Sequence, residues 1–257
     1  MILVDMNQIS LASVMMHLHM TKNTEPDDNM VRHMILNSLR MYRTRFSSEY
    51  GELVLCYDSK HYWRRDFFTQ YKASRRSKRE SDGKDWDSIF ECLNTIKAEI
   101  KENLPYKFLE IYGAEADDII ASLVTEVAEE VLILSGDKDF IQLQRYPNVK
   151  QYRPITKKMV NGETPDFYLV EPVFKGDSSD GVPNVLSPDN TFTDGLRQKP
   201  LGKKKISAWA DHKFEDVAPN DEVMRNYKRN KKINKTKIIL SNTNLSFILI
   251  FKQPSLL

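Results

Sequence analysis

The sequence predicts an α/β fold with a mostly parallel central sheet flanked by helices. Short, nearly pure apolar runs recur through its first half, and stretches of helical period separate them. Each of these runs is followed at once, or within a few residues, by an acid. Ile2-Leu3-Val4 leads into Asp5, Leu53 to Tyr57 into Asp58, and Val131 to Leu134 into Ser135-Gly136-Asp137. A fourth run, Phe108 to Tyr112, is broken only by Glu110 and is followed by Glu115. The helical period falls on Met30 to Tyr42, Trp86 to Glu102 and Ala116 to Glu130, and Asn23 to Asn29 reads as an exposed loop. Buried strands alternating with helices imply right-handed crossovers and strands that point the same way.

That geometry has a chemical consequence. Sites in open parallel sheets form outside the carboxyl ends of the strands. Asp5, Asp58, Glu115 and Asp137 should therefore converge along one edge. One acid in such a place is as readily a turn residue or helix cap, but four placed alike favour a shared site.

Composition sets the class. Of 257 residues, 29% are charged and 40% hydrophobic, ordinary values for a globular protein. No apolar run approaches the roughly 20 residues needed to span a bilayer, and Met1 to Asp5 lacks the features of a secretory leader. Cys56 and Cys92 sit in apolar stretches without metal-type spacing, so buried thiols in a reducing, cytoplasmic setting are expected. The net charge of +2 conceals segregation: Lys60 to Lys84 holds nine Lys or Arg and three acids. Basic stretches recur at 197–205 and 225–237, while acids cluster at 115–118, 137–139 and 177–180. Such a chain offers cationic surface to a polyanion and anionic pockets to cations, although any one charge run is more simply a solvated face.

Three motifs concentrate the chemistry. Glu115-Ala116-Asp117-Asp118 opens a helix whose apolar positions are 119, 120, 123, 124 and 127. Capping accounts for one of these acids, whereas a cation would relieve the repulsion among all three. Ser135-Gly136-Asp137-Lys138-Asp139-Phe140 places an Asp pair beside a glycine that permits close approach. Lys175-Gly176-Asp177-Ser178-Ser179-Asp180-Gly181-Val182-Pro183 places two aspartates in a Gly-bounded turn. Should the motifs meet, Asp5, Asp58, Glu115, Asp117, Asp118, Asp137, Asp139, Asp177 and Asp180 would share one pocket. Such a pocket would need Mg²⁺ or Mn²⁺, which all-oxygen donors select. His17 and His19 read as ordinary helix packing.

In this order, after the Asp5 and Asp58 strands, the motifs resemble those of the 5′-nuclease (flap endonuclease) superfamily, and most closely its T-even-type bacteriophage branch. The resemblance also rests on Leu3-Val4-Asp5, Val31 to Ser38, Tyr62-Trp63-Arg64-Arg65-Asp66-Phe67, Tyr146 to Gln151 and Lys175-Gly176-Asp177, and covers about residues 1 to 230. It implies a PIN-like core over 1–174 with a helical arch near 63–84, and a helix–turn–helix module over 175–230 that grips duplex DNA. Two Mg²⁺ ions are implied, with Mn²⁺ able to substitute. Asp5, Asp58, Glu115 and Asp117 would hold the first, and Asp137, Asp139 and Asp177 the second, with Asp118 and Asp180 in support.

Arg64 and Lys72 would contact the scissile phosphate, and Arg65, Lys72, Arg75, Arg76 and nearby aromatics would line the single-strand passage. Lys203, Lys204 and Lys205 would meet duplex backbone. A monovalent cation is implied near 176–184, where Asp180-Gly181-Val182-Pro183-Asn184 departs from the commoner Asp-Asn-Ile-Pro-Gly.

The implied activity is Mg²⁺-dependent 5′-to-3′ exonuclease and flap endonuclease action on RNA/DNA and DNA/DNA duplexes, removing RNA primers in phage replication. The implied partners of this monomer are branched or nicked duplexes, RNA/DNA hybrid, a single-strand-binding protein and a sliding clamp, all in the host cytoplasm. Two departures stand out. The chain begins four residues before Asp5, where the phage relatives carry a longer extension. Residues 231–257 are atypical and read either as a replaced gene end or as divergence, with Phe247 to Phe251 as a docking segment. Other readings are a haloacid-dehalogenase-like phosphatase, against which Asn7 stands where a second Asp is needed, and a DNA-binding protein without cleavage. A PIN-domain ribonuclease would lack the arch and the 175–205 module.

Overall fold

Ile2, Leu3 and Val4 are all fully buried, as a strand covered on both faces requires, and the strand they form is central to the sheet. The computed structural model describes residues 1–161 and 165–234, the span 165–169 by its backbone alone. Strand β1 (Ile2–Asp5) leads directly into α1 (Met6–Thr21), followed by α2 (Asp28–Tyr50) and β2 (Leu53–Tyr57). Two short helices, α3 (Trp63–Phe67) and α4 (Ser74–Glu80), precede α5 (Trp86–Asn103) and β3 (Lys107–Glu110). Then come α6 (Ala116–Glu126), β4 (Val131–Leu134), a 3-10 helix (Lys138–Arg145), β5 (Val149–Arg153) and β6 (Lys158–Val160). Helices α7 (Pro165–Lys175), α8 (Lys203–Ala210), α9 (Phe214–Val217) and α10 (Asp221–Ile233) complete the described chain.

The sheet order is β3-β2-β1-β4-β5-β6, parallel except for the β5–β6 hairpin. Pleating divides each strand between two cores. Ile2, Val4, Leu53, Leu55, Leu132 and Leu134 pack with α1, α2 and α5. Leu3, Val54, Cys56, Val131 and Ile133 pack with α6 and the 3-10 helix. A third cluster joins Phe174, Val185, Ile206, Trp209, Phe214 and Val223. Among the described residues no helix is long and apolar enough to cross a membrane.

Several expectations are borne out and others need adjustment. The acid-terminated runs are strands, and Cys56 and Cys92 are buried free thiols. His17 is buried while His19 is exposed, so the two do not converge. Helix α6 stops at Glu126 rather than running to Glu130. Continuing it would gather Glu126, Glu129 and Glu130 at the negative end of its dipole, and Glu129 instead pairs with the N-terminal ammonium at 3.3 Å. Strand β3 ends at Glu110, and Ala114 N donates to Ile111 O across a turn with Gly113 at φ +82°. Tyr112 is thereby turned out of the sheet.

The helix–turn–helix was expected to follow Asp177, yet residues 176–202 hold turns and bends, and the next helix begins only at Lys203. Helix α10 runs through Ile233, past the expected start of the atypical tail. Phe247 to Phe251 lies outside the described residues.

One glycine is dictated by space. Gly176, at φ +67°, closes the turn in which Asp177 and Val182 exchange backbone hydrogen bonds of 2.8 Å. A Cβ there would lie 2.2 Å from the Val182 carbonyl oxygen and 2.6 Å from Pro183 backbone. Gly195 has nearly the same φ, +66°, with open space around it. Gly195→Ala should thus cost only the left-handed conformational penalty, about 1–2 kcal/mol. Gly176→Ala adds a backbone overlap and should cost clearly more, with a melting midpoint lower by roughly 2–4 °C per additional kcal/mol. Equal midpoints for the two variants in thermal denaturation would contradict this account of the turn.

Candidate active site

The carboxyl edge of the sheet carries the acids, and many of them double as helix caps. Asp5 Oδ1 accepts from Gln8 N at 3.2 Å and starts α1, while Oδ2 accepts from Ser135 Oγ at 2.9 Å. Asp137 Oδ1 caps the 3-10 helix through Asp139 N at 3.0 Å. Glu115 and Asp118 form a reciprocal capping box at the start of α6. Asp58 Oδ1 accepts from Ala116 N at 2.7 Å, tying the end of β2 to the same helix start. Capping and site formation are therefore not alternatives here: a cap engages one carboxylate oxygen and can leave the other turned outward.

Arg64 is the counter-ion at the centre of the cluster. It is 2% exposed; Nη1 donates to Glu115 Oε2 and Asp118 Oδ2, each at 2.7 Å, and Nη2 to Asp118 Oδ1 at 2.8 Å. Nη2 also lies 3.5 Å from Asp117 Oδ2, and Nε donates to the Ile233 carbonyl at 3.0 Å. Burial alone would lower its pKa, but Asp117 and Asp118 hold it well above the usual range. Lys72 Nζ lies 2.5 Å from Glu115 Oε1 and 3.9 Å from Asp180 Oδ1. Burial again opposes its charge, and Asp180 and Glu115 override that effect and raise its pKa.

Tyr71 Oη bridges Glu115 at 3.1 Å and Asp180 at 2.8 Å, and Arg75 Nη2 reaches Asp180 Oδ1 at 2.6 Å. Lys72 adopts φ +57°, a conformation few non-glycine residues adopt, and its N–H donates to Asp180 O at 2.7 Å.

The three motifs meet. One cleft is lined by Arg64, Tyr71, Asp117, Asp139, Asp177, Asp180, Val182, Ile233 and Asn234. The cost of this crowding falls on the carboxyl groups. Burial, then Asp58, then Asp137 push the Asp5 pKa up to about 7, the Gln8 and Ser135 hydrogen bonds notwithstanding. Burial followed by Asp137, Asp117, Asp177 and Asp180 pushes Asp139 up to about 8. Burial and Asp117 push Asp118 up to about 7, and burial raises Asp58 and Asp117.

The donor chemistry suits a hard divalent cation. Oxygens of Glu115, Asp117 and Asp118 lie within 4.8 Å of one another. Within that trio, however, Arg64 already occupies Asp118 and one side of Glu115. Asp117, Asp139 and Asp177 line the cleft, and Asp137 is exposed to solvent. Asp177 commits only Oδ1, to the backbone and hydroxyl of Ser179 at 2.7 and 2.6 Å. These acids outnumber Arg64, Lys72 and Arg75, and a divalent ion would supply the missing charge.

Some sequence expectations are corrected. Arg64 does not present its guanidinium at the surface: its nitrogens are committed to Glu115, Asp117, Asp118 and the Ile233 carbonyl. Of the aromatics in the 63–84 segment, Tyr71 is 2% exposed and Phe68 is buried, so neither can stack on a strand, and Phe67, 41% exposed, carries the Lys232 ammonium over its ring at 3.9 Å. Asp118 is saturated by Arg64, Trp63 Nε1 at 3.2 Å and Glu115 N at 3.2 Å. Arg65, Arg75, Arg76, Lys203, Lys204 and Lys205 lie on the surface or partly so. Arg76 is held by Glu80 at 3.0 Å.

Sequence reasoning missed the amides that hold the loops. Gln8 Oε1 accepts from Gly136 N, and Gln151 Nε2 donates to Ser135 O at 2.9 Å and Asp137 O at 2.7 Å. Asn7 Oδ1 accepts from Asp58 N at 3.1 Å, so the residue that argued against a phosphatase positions a site acid instead.

Comparison with known proteins agrees with this arrangement. The family described as 5′-3′ exonuclease, N-terminal resolvase-like domain, matches residues 1–168. Ribonuclease H of Enterobacteria phage T4 is 35% identical over 240 residues, which span 89% of this chain and 78% of the phage protein. A 5′-3′ exonuclease of Buchnera aphidicola is 31% identical over 145 residues, 52% of this chain and 48% of that protein.

Among solved structures, bacteriophage T5 5′-exonuclease with bound zinc superposes with a TM-score of 0.64 at 15% identity, covering 92% of this chain and 86% of that one. A bacteriophage T5 flap endonuclease in complex with DNA and metal ions gives 0.65 at 14%, covering 91% and 86%. At such identities the likeness establishes the shared α/β fold. With the family match spanning most of its residues and the phage T4 relative aligning along nearly all of it, the chain belongs to the 5′-3′ exonuclease family and is a nuclease.

Proposed function

We propose that the chain is a Mg²⁺-dependent nuclease that removes nucleotides from, or just inside, the 5′ end of nicked, flapped or RNA-primed duplexes, as in clearing primers during phage DNA replication. The observation that carries this reading is the meeting of three acidic motifs in one cleft, with Lys72 paired to Glu115 and Arg75 to Asp180. The T5 flap endonuclease structure with DNA and metal ions, and the phage T4 ribonuclease H relative, support it.

A pair of divalent ions, when bound, would supply charge neutralisation at the scissile phosphate and lower the pKa of an attacking water. Asp5, Asp58, Glu115 and Asp117 are the residues proposed to hold one ion, and Asp137, Asp139 and Asp177 the other. Asp118, being saturated, acts through Arg64. Arg64 is a positioning residue: it fixes Glu115 and Asp118 so that Asp117 faces the cleft. Lys72, whose side chain is 15% exposed, is the group proposed to meet the phosphate as negative charge builds. The 63–84 segment would form the arch over the single strand. The 175–230 segment, with the exposed lysines at 203–205, would hold duplex backbone. A monovalent cation is proposed at the Gly176–Asn184 turn.

Three outcomes check this. Mg²⁺ at about 100 times its dissociation constant should stabilise the protein by about 2.7 kcal/mol. Its melting midpoint should rise by several degrees at pH 8, and EDTA should reverse the rise and abolish cleavage. A midpoint indifferent to Mg²⁺ would remove the metal site.

Asp117→Asn keeps the side-chain shape and removes one charge. Turnover should fall by at least two orders of magnitude while binding to a flap duplex persists, as measured by single-turnover cleavage beside anisotropy. Near-wild-type turnover would make Asp117 a helix-entry residue only.

Direction is a separate matter, because acids at a sheet edge create no polarity by themselves. A 5′-labelled strand should release its label early in short fragments, while a 3′-labelled strand shortens from its far end. Early mononucleotides from a 3′ label would contradict the arrangement of arch and duplex module.

A further inference from the structure

Tyr112 is 80% exposed, more than any other large hydrophobic or aromatic side chain among the described residues, and it lies three positions before Glu115. It is not a loose side chain. Its ring stacks on His61 with centroids 5.2 Å apart and planes inclined by 20°. His61 Nε2 is in turn 2.8 Å from Asp66 Oδ2, which fixes the imidazole. The backbones on both sides are joined: Ser59 N donates to Ala114 O at 2.9 Å and Trp63 N to Gly113 O at 3.0 Å.

Beside the platform opens a cleft of about 340 Å³, lined by Ser59, Lys101, Phe108, Glu110 and Tyr112. Small-ligand sites commonly measure about 300–1,000 Å³, so this one is at the small end of that range. Glu110 is neutralised by Lys97 at 2.7 Å, and Lys101, in no ion pair among the described residues, lies over the Phe108 ring at 5.5 Å. An exposed ring on a rigid support, a cleft of that size and a cation within it together match one nucleotide: a flat base to stack and a phosphate to pair.

We propose that the Tyr112–His61 platform is a stacking subsite for one unpaired nucleobase of the substrate strand, with Lys101 taking the adjoining phosphate. This rests on the nuclease reading for the course of the strand, but not for the stacking itself. The subsite is tolerant of sequence, because every base has a π-face. It lies at the sheet edge that carries the acids, so a base held there fixes the strand relative to the metal pocket.

The test uses the full chain in EDTA, where no cleavage occurs, and flap duplexes that each carry one abasic position, stepped through the junction. The probe is fluorescence anisotropy. In the wild-type protein, base loss at one position or two neighbouring ones should weaken binding by about 5- to 150-fold, and elsewhere by much less. Tyr112→Ala should bind the intact flap as weakly as the wild type binds that abasic substrate, and should no longer distinguish the two. Tyr112→Phe should restore the wild-type profile.

An unaltered abasic profile in Tyr112→Ala overturns the proposal and leaves the platform to a protein contact. A uniform loss at every position also overturns it, since that would be a general weakening. Cleavage of the intact flap by wild-type protein with Mg²⁺ is measured alongside. Its absence would sink the nuclease reading, while the abasic profile is read without any chemistry.

Discussion

The cation that holds this site together is almost invisible from outside. Arg64 is enclosed by Glu115, Asp117 and Asp118, and its Nε is taken by the last carbonyl of α10. Placing several carboxylates in one poorly hydrated corner is prohibitively unfavourable without a fixed positive charge, and a guanidinium is suited to the task because it stays charged and offers several donors in a rigid fork. Removing one partner from such a network typically costs about 3–5 kcal/mol, because the remaining charges are stranded. Arg64 therefore belongs to the folding of the site as much as to its chemistry. The helix start at Ala116, the position of α3 and the end of α10 are all tied to it.

The same economy runs through the other acids. An aspartate at the end of a parallel strand meets the N-terminus of the following helix, where unpaired N–H groups and the dipole favour negative charge. Asp5 and Asp137 each use one oxygen in this way. The fold thus orients its carboxylates with backbone already present. Gln8 and Gln151 then fix the Gly136–Asp137 loop from two sides. Lys72, Tyr71 and Arg75 do the corresponding work for the third motif through Asp180. That motif lies more than a hundred residues further along the chain, yet it is placed by contacts to the 63–84 segment rather than by the sheet.

What could be read from the sequence was whatever is periodic or local. The runs ending at Val4, Tyr57 and Leu134 show their strands because burial on both faces leaves no polar residues to blur the signal. Their acids could be placed because a parallel sheet has only one carboxyl edge. Strand β5 escaped notice because Lys150 and Arg153 interrupt its apolar residues, and β6 because it is three residues long at a solvated edge. The burial of Arg64 and Tyr71 was not legible either. A basic and aromatic stretch looks like a nucleic-acid surface, and only the long-range contacts to Glu115, Asp118 and Asp180 reveal which members turn inward. The Phe108 to Tyr112 run failed in its last residues for a similar reason: the turn at Gly113, held by Trp63 N, draws the chain out of the sheet.

The charge network also constrains how the 63–84 segment can move. Lys72 and Arg75 both hold Asp180, and Lys72 reaches Glu115 as well, so residues 72–75, the third motif and the start of α6 form one electrostatic unit. Lifting residues 72–80 alone would take both cations from Asp180 and leave Glu115 with Arg64 only. A phosphate entering the cleft would repel those same acids unless divalent cations arrived with it. On the proposed reading, the carboxylates would turn to the divalent cations and Lys72 and Arg75 to the phosphate, so that each would release the other's internal pairs. Arg64 would stay in place, because Glu115 and Asp118 are buried with it and its Nε is held by the Ile233 carbonyl. With the guanidinium of Arg64 buried behind the acids and Lys72 and Arg75 paired in front of them, a site this anionic stays folded while it holds no ligand.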